Sequence, residues 1–266
     1  MVLVPRKVGF FHFGSDNRKM PDQLLEKAME EAGGWPCLRE SLIVLPEAFN
    51  IGVNYAKGCD PGSKPDFSPG IKGRLGEIAG RFECAFVAGL IVDGAERVPL
   101  SGAPSAVRPP SAAYFISASS CKRLSLKKGD DKTGFYVPSD EVVDSPFAFD
   151  QGTVSALICM DAVVGGVDPA LAERQEKMRA TVERLGGSCH IFCAPVNTDQ
   201  YGTLGIAEAW GRAGFHVVVV ANGRCGLHGV GPLQPGYFPS VIWIKGGDPL
   251  PFLARTNIVI VRPLDA

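Results

Sequence analysis

Five apolar runs in this sequence end on residues that can do chemistry. Leu42 to Leu45 is followed by Pro46-Glu47, and Ser155 to Ile158 by Cys159-Met160-Asp161. Ile191 to Ala194 leads to Pro195-Val196-Asn197, and Val217 to Val220 to Ala221-Asn222. A shorter run, Leu124-Ser125-Leu126, enters Lys127-Lys128. In α/β sheets, functional groups collect where strands end at their carboxyl edge. Each of these residues alone has an ordinary reading. An acid past a strand is usually a cap or a solvated turn. A cysteine closing a buried strand is usually a small hydrophobe, and a lysine pair on a hairpin is usually solvated. Taken together, a carboxylate, an ammonium and a thiol at comparable strand ends make a nucleophilic site. The acid takes the thiol proton, and the cation stabilises the thiolate and a developing oxyanion.

Competing chemistries find less support. The four histidines are His12, His190, His216 and His228, and none accompanies a G-x-S-x-G elbow. No P-loop or G-x-G-x-x-G opens a helix. Cys189, His190 and Cys193 suggest a metal cluster, but on a strand His190 faces away from the two cysteines. No second cysteine pair completes a set of ligands. The sequence is therefore expected to hold no metal and no organic cofactor.

The elements that position these residues follow from hydrophobic period and turn chemistry. Strands are predicted over Val8 to Phe13, Leu42 to Leu45, Cys84 to Val92, Cys189 to Ala194, His216 to Ala221 and Asn257 to Val261. Two antiparallel pairs are predicted: Ala112 to Ala118 with Lys122 to Lys128, and Val142 to Phe149 with Thr153 to Ile158. One helix begins at Pro21, carries Leu24, Leu25, Ala28 and Ala32 on one face, and ends at Gly33-Gly34. Others carry Ile71, Leu75, Ile78, Ala79 and Phe82, then Leu171, Met178, Val182 and Leu185, then Leu204, Ala207 and Trp210. Helices alternate with strands, but hairpins interrupt the alternation, so a layered α/β architecture is expected rather than a parallel barrel.

Composition narrows the classes further. The 266 residues suit one α/β domain, taken here as 1–266. The formal charge of −1, with no long run of one sign, offers no electrostatic case for nucleic acid or an anionic membrane. No apolar run is long enough to span a bilayer, and the first residues lack the pattern of a signal peptide. The eight scattered cysteines read as reduced thiols, so a cytoplasmic location is expected.

Three segments resemble the signature regions of the nitrilase, or carbon–nitrogen hydrolase, superfamily. They are LIVLPEAFNIG (42–52), the strand entering Lys127-Lys128, and SALICMDA (155–162). The stretch APVNTDQYG, followed by IAEAWGRAGFHVVVVANGRCG, is similar to the region after that family's nucleophile. The resemblance runs from Val8 to about Gly226. It implies a four-layer α-β-β-α sandwich with mixed sheets, and a triad of Glu47 as general base, a lysine, and Cys159 as nucleophile. Lys128 is preferred over Lys127, because on a regular strand it shares a face with Leu124 and Leu126. The family's apolar residue two before its lysine selects Lys128 as well. Met160 through its N–H, and Asn197, are the expected oxyanion or substrate contacts. The implied reaction is hydrolysis of a small amide through a thioester. A homodimer or larger homo-oligomer is implied, with the helix from Pro169 to Leu185 at its interface. The sequence departs from the family where Gly129-Asp130 replaces a usual His-Leu pair, and where Met160 replaces a common aromatic. Asp130, Asp131 and Glu141 are candidates for the family's second acid. Two other readings stay open: an inactive nitrilase-like scaffold, and an isochorismatase-like cysteine hydrolase using Asp16.

Overall fold

The computed structural model describes residues 5–12, 21–50, 70–91, 111–127, 144–149, 152–164, 169–196, 202–223, 239–252 and 258–264. Among the described residues, twelve strands form two six-stranded mixed sheets. The first contains β1 (Lys7–His12), β2 (Ser41–Leu45), β3 (Ala85–Ile91), β4 (Ser111–Ser117), β5 (Ser120–Leu126) and β12 (Ile258–Pro263), in the order β12-β1-β2-β3-β4-β5. The second contains β6 (Phe147–Phe149), β7 (Gly152–Ala156), β8 (Cys189–Val196), β9 (Val217–Asn222), β10 (Ser240–Ile244) and β11 (Leu250–Phe252), in the order β11-β10-β9-β8-β7-β6.

Each sheet has three parallel strands at its centre and antiparallel strands outside them. The central strands are buried on both faces and mostly apolar, with Thr153 and Ser155 of β7 among the buried polar exceptions. One face of each sheet meets the other sheet. Phe10, Leu42, Val44 and Val87 pack there with Val154, Ala156, Ile191, Cys193 and Val219. The opposite face of the first sheet is covered by α1 (Pro21–Glu31), α2 (Gly34–Leu38) and α3 (Ile71–Phe82). That of the second is covered by α4 (Pro169–Leu185) and α5 (Thr203–Arg212). The result is the expected four-layer α-β-β-α sandwich.

Several local expectations change. α1 ends at Glu31, next to Gly33-Gly34 as expected, but the left-handed φ of 103° at Gly33 then redirects the chain into a short further helix, α2. The hairpin between β4 and β5 turns at Ala118-Ser119, one residue earlier than predicted, since Ser117 pairs with Ser120. The described part of the strand predicted over 142–149 is β only from Phe147. Leu204 and Leu185 are exposed rather than inward. Thr203, Ile206, Ala207 and Trp210 fill the α5 face instead. Strands β10 and β11 arise from a segment whose Gly and Pro content concealed them.

Topology decides which strand ends come together. β4 runs antiparallel to β3 and β5 antiparallel to β4, so β5 ends at the same edge as β2 and β3. The end of β2 is held tightly there. A Cβ added to Gly89 would lie 2.8 Å from the Glu47 Cα, 2.8 Å from the Pro195 Cβ and 3.1 Å from the Pro46 carbonyl oxygen. Two of these obstacles are backbone and the third is a rigid ring, so none can rotate away. Gly89→Ala is therefore expected to cost about 1–3 kcal/mol by overpacking. It should also push the Glu47 backbone outward. Urea denaturation together with the rate of Cys159 alkylation measures both effects.

Candidate active site

Glu47 lies two residues past β2, in a turn that nothing in its local sequence would hold. The following residue, Ala48, takes a positive φ of 59°, a strained conformation for a residue with a Cβ. A side-chain clamp maintains it. The Asn50 amide donates to the Ile91 carbonyl and accepts from the Ile91 N–H, both at 2.9 Å. This imitates one rung of a β-ladder at the end of β3 and ties the turn to the sheet.

The Glu47 carboxylate is almost fully buried. Its Oε1 accepts from the Lys127 ammonium at 2.7 Å and from the Ser111 hydroxyl at 3.2 Å. Ser111 also receives the Lys127 backbone N–H at 2.8 Å through its carbonyl. The first residue of β4 thus holds both partners of the ion pair. A buried ion pair loses hydration on both sides and persists only with good geometry and further hydrogen bonds. Ser111 supplies one of these.

Of the lysine pair, Lys127 is described, and its ammonium reaches Glu47. Lys128 lies outside the described residues. The shared face of Leu124 and Leu126, on which the preference for Lys128 rested, is not formed. Ala113 pairs with Ser125 but Tyr114 pairs with Arg123, so Leu124 is an extra residue in β5. A bulge of this kind breaks the strict alternation of side chains. Leu124 packs between the sheets while Leu126 packs beneath the helices, although on a regular strand they would share a face. Burial alone would push the Lys127 ammonium below its ordinary value of 10.5. Charge on Cys159, the Glu47 carboxylate with its hydrogen bond, and Asp161 outweigh burial and hold it above that value. Cys159 is therefore electrostatically part of the same group.

Cys159 opens a single 3₁₀ turn, Cys159–Ala162, after an extended Ile158. Its φ of 52° is left-handed, so the chain reverses sharply at the thiol. Cys159 is 7% exposed, so its thiol is largely buried. Met160 follows in the turn and is half-buried. Asn197, the other expected contact, lies outside the described residues, as do Asp130, Asp131, Glu141 and Asp16.

Beneath the turn lies a second ionic group that sequence reasoning missed. Asp161 is fully buried and ion-paired with Arg174 of α4. Arg174 also grips Asp144 through Nε and Nη2, each at 2.7 Å, and donates to the Leu126 carbonyl at 2.7 Å. Burial pushes the Asp144 carboxyl up from its ordinary value, with Arg174 opposing it. The neighbouring Gln175 donates to the carbonyls of Asp161 and Val163. A sequence signal existed. Arg174 and Gln175 stand three and four residues after Leu171, and Arg174 four before Met178, inside the apolar stripe of α4. An arginine on a buried face requires buried acceptors. Ser111 left no such trace.

With this geometry established, comparison with solved structures is informative. Similar structures include an amidase from Nesterenkonia sp. AN1, at 18% identity and TM-score 0.59, covering 96% of this chain and 91% of that one. A cysteine-to-serine variant of an amidase from the same source, described as belonging to the nitrilase superfamily, matches at 17% identity and TM-score 0.62. That match covers 99% of this chain and 93% of the other. In a third structure, the acetamide moiety of fluoroacetamide is covalently added at the amidase's active-site cysteine. It matches at 18% identity and TM-score 0.59, covering 99% of this chain and 94% of that one. No family sequence profile and no curated protein matches the chain by sequence. The chain has the nitrilase-superfamily fold, as the resemblance of its segments implied. Among the described residues, no helix is long and apolar enough to cross a membrane.

Proposed function

We propose that this protein is a nitrilase-superfamily hydrolase of a small amide, with Cys159 as nucleophile, Glu47 as general acid and base, and Lys127 as the oxyanion-stabilising cation. The observation that carries this reading is the buried Glu47–Lys127 pair, whose ammonium is held charged partly by Cys159. A buried lysine and glutamate at the edge of the first sheet, with a buried, strained cysteine at a strand end of the second, have little value for stability alone. The solved amidases of the same fold, one of which carries the acetamide moiety of fluoroacetamide on its active-site cysteine, support the same direction.

In this mechanism Cys159 Sγ attacks the amide carbonyl carbon as Glu47 takes the thiol proton. The carbonyl oxygen becomes an oxyanion facing the Lys127 ammonium and the Met160 N–H. Collapse breaks the C–N bond, and Glu47 returns its proton to the leaving nitrogen. Ammonia or an amine departs and a thioester remains on Cys159. Water then attacks the thioester, giving its proton to Glu47. The Cys159 thiol is regenerated and a carboxylic acid is released. A homodimer or larger homo-oligomer pairing sandwich to sandwich, and a cytoplasmic location, belong to the same proposal.

The test is competitive alkylation with limiting iodoacetamide, mapped by peptide mass spectrometry from about pH 6 to about pH 9, where ordinary thiols pass from inert to reactive. Cys37 and Cys121 are exposed and serve as internal standards. Burial pushes the Cys84 thiol up to about 12 and the Cys193 thiol higher still, so both stay unlabelled. Cys159 should be labelled ahead of Cys37 and Cys121 at the acid end, despite its lower exposure. Fluoroacetamide should leave an acetamide adduct on the same residue. Labelling of Cys159 no faster than Cys37 across the range rules the hydrolase out in favour of an inactive scaffold.

A further inference from the structure

Arg174 stands apart from the surface ion pairs of this protein. It is 8% exposed, and all of its described acceptors come from outside its own helix. Two of them border the reacting groups directly. Asp161 is two residues after Cys159, in the same 3₁₀ turn, and the Leu126 carbonyl belongs to the peptide that continues into Lys127. Asp144 completes the arrangement by fixing the guanidinium through a two-pronged contact. Gln175 holds the far end of the same turn by the Asp161 and Val163 carbonyls.

The two reacting groups come from different sheets. Lys127 follows β5 of the first and Cys159 follows β7 of the second. Between the sheets, apolar packing sets a spacing but little orientation, since it is not directional. A planar guanidinium with fixed donor directions supplies what packing lacks.

We propose that Arg174 is a positioning residue that joins the nucleophile turn to the lysine strand, fixing where the Cys159 sulfur lies relative to the Lys127 ammonium. This rests on the reading of Cys159 and Lys127 given above. The charged groups around it are Asp144 and Asp161. Among the described residues, Cys159, Glu47 and Asp161 all act on the Lys127 ammonium. Lysine at position 174 keeps the charge but offers a point donor on a flexible stem, which cannot serve three separated acceptors. The turn and the strand end then shift relative to each other. The Cys159 thiolate loses part of its stabilisation.

The experiment measures the pH profile of Cys159 alkylation by iodoacetamide in the full-length wild type, Arg174→Lys, Asp144→Asn and Val182→Ala. Val182 is buried on the same helix within the apolar cluster under the second sheet, so Val182→Ala reports simple destabilisation of α4. For Arg174→Lys the profile should move to higher pH, with labelling near pH 7 slowed about tenfold, one pKa unit of thiolate. Asp144→Asn should shift it the same way by less. Val182→Ala should lower the melting temperature and leave the profile in place. Should Arg174→Lys not fold, Asp144→Asn against Val182→Ala decides the question alone. The positioning role is overturned if the Asp144 and Arg174 variants keep the wild-type profile while wild-type Cys159 is hyper-reactive. A wild-type Cys159 that reacts like an exposed thiol removes the underlying reading, and the positioning role with it.

Discussion

Lys127→Ala is expected to abolish preferential labelling of Cys159 and to destabilise the fold, whereas Lys128→Ala leaves both close to wild type. The two effects share one cause. Removing the ammonium leaves Glu47 buried beside Ser111 with its counter-charge gone. Breaking a buried pair from one side costs about 3–5 kcal/mol. Loss of a preorganised oxyanion donor costs about 10²–10³-fold in turnover. Urea denaturation and amide turnover read the two separately. Pairing Lys127→Met with Glu47→Gln should recover much of the stability, because no unpaired charge is then buried, and none of the activity. An equal loss in Lys128→Ala would overturn the assignment.

The pH dependence of stability tests the same pair. The folded protein holds Lys127 above its ordinary value of 10.5. A group whose pKa is raised on folding contributes stability that is complete below the unfolded value and is lost as pH rises toward the folded one. The contribution of Lys127 is thus constant through neutral and mildly alkaline pH and declines only above about pH 10.5. Wild type should lose stability there faster than the Lys127→Met, Glu47→Gln double variant. Within the working range Lys127 stays charged, so any alkaline limb of a pH–rate profile below that point belongs to another group.

Glu47→Gln is the second large effect. Glutamine has the same shape and keeps an oxygen that accepts from Ser111 and Lys127, so the fold should be preserved. It cannot take the thiol proton or return one to the leaving nitrogen. Turnover of an amide substrate should fall by about 10²–10⁴-fold, the usual share of general acid–base catalysis. A slow covalent adduct on Cys159 with fluoroacetamide should remain detectable, because displacement of fluoride needs no protonation of a nitrogen. Cys159→Ala removes turnover and adduct together. If Glu47→Gln turns amide over at the wild-type rate, Glu47 is not the base.

Much of this site was legible in the one-dimensional pattern. Glu47 and Cys159 each follow a short apolar run, and a buried strand must be apolar until it reaches the edge where polar groups can be served. The positions therefore announced themselves, and the segments around them resembled one superfamily. The sandwich was legible for a similar reason: apolar runs with hairpins among helices leave few ways to cover two-sided sheets.

Other features depend on relations between distant segments. The expected common face of Leu124 and Leu126 is undone by one extra residue, Leu124, opposite the Ala113–Tyr114 step. A bulge is a property of the pairing of two strands, and the period-2 pattern of either strand alone does not contain it. Ser111 joined the site because β4 begins where β3 ends, which is a matter of register. Arg174 could be read as a buried arginine from its place in the stripe of α4. Its acceptors, Asp144, Asp161 and the Leu126 carbonyl, lie 30, 13 and 48 residues away. Hydrophobic period is local and survives in the sequence. The directions of hydrogen bonds between segments exist only once the chain has folded and the two sheets have packed face to face.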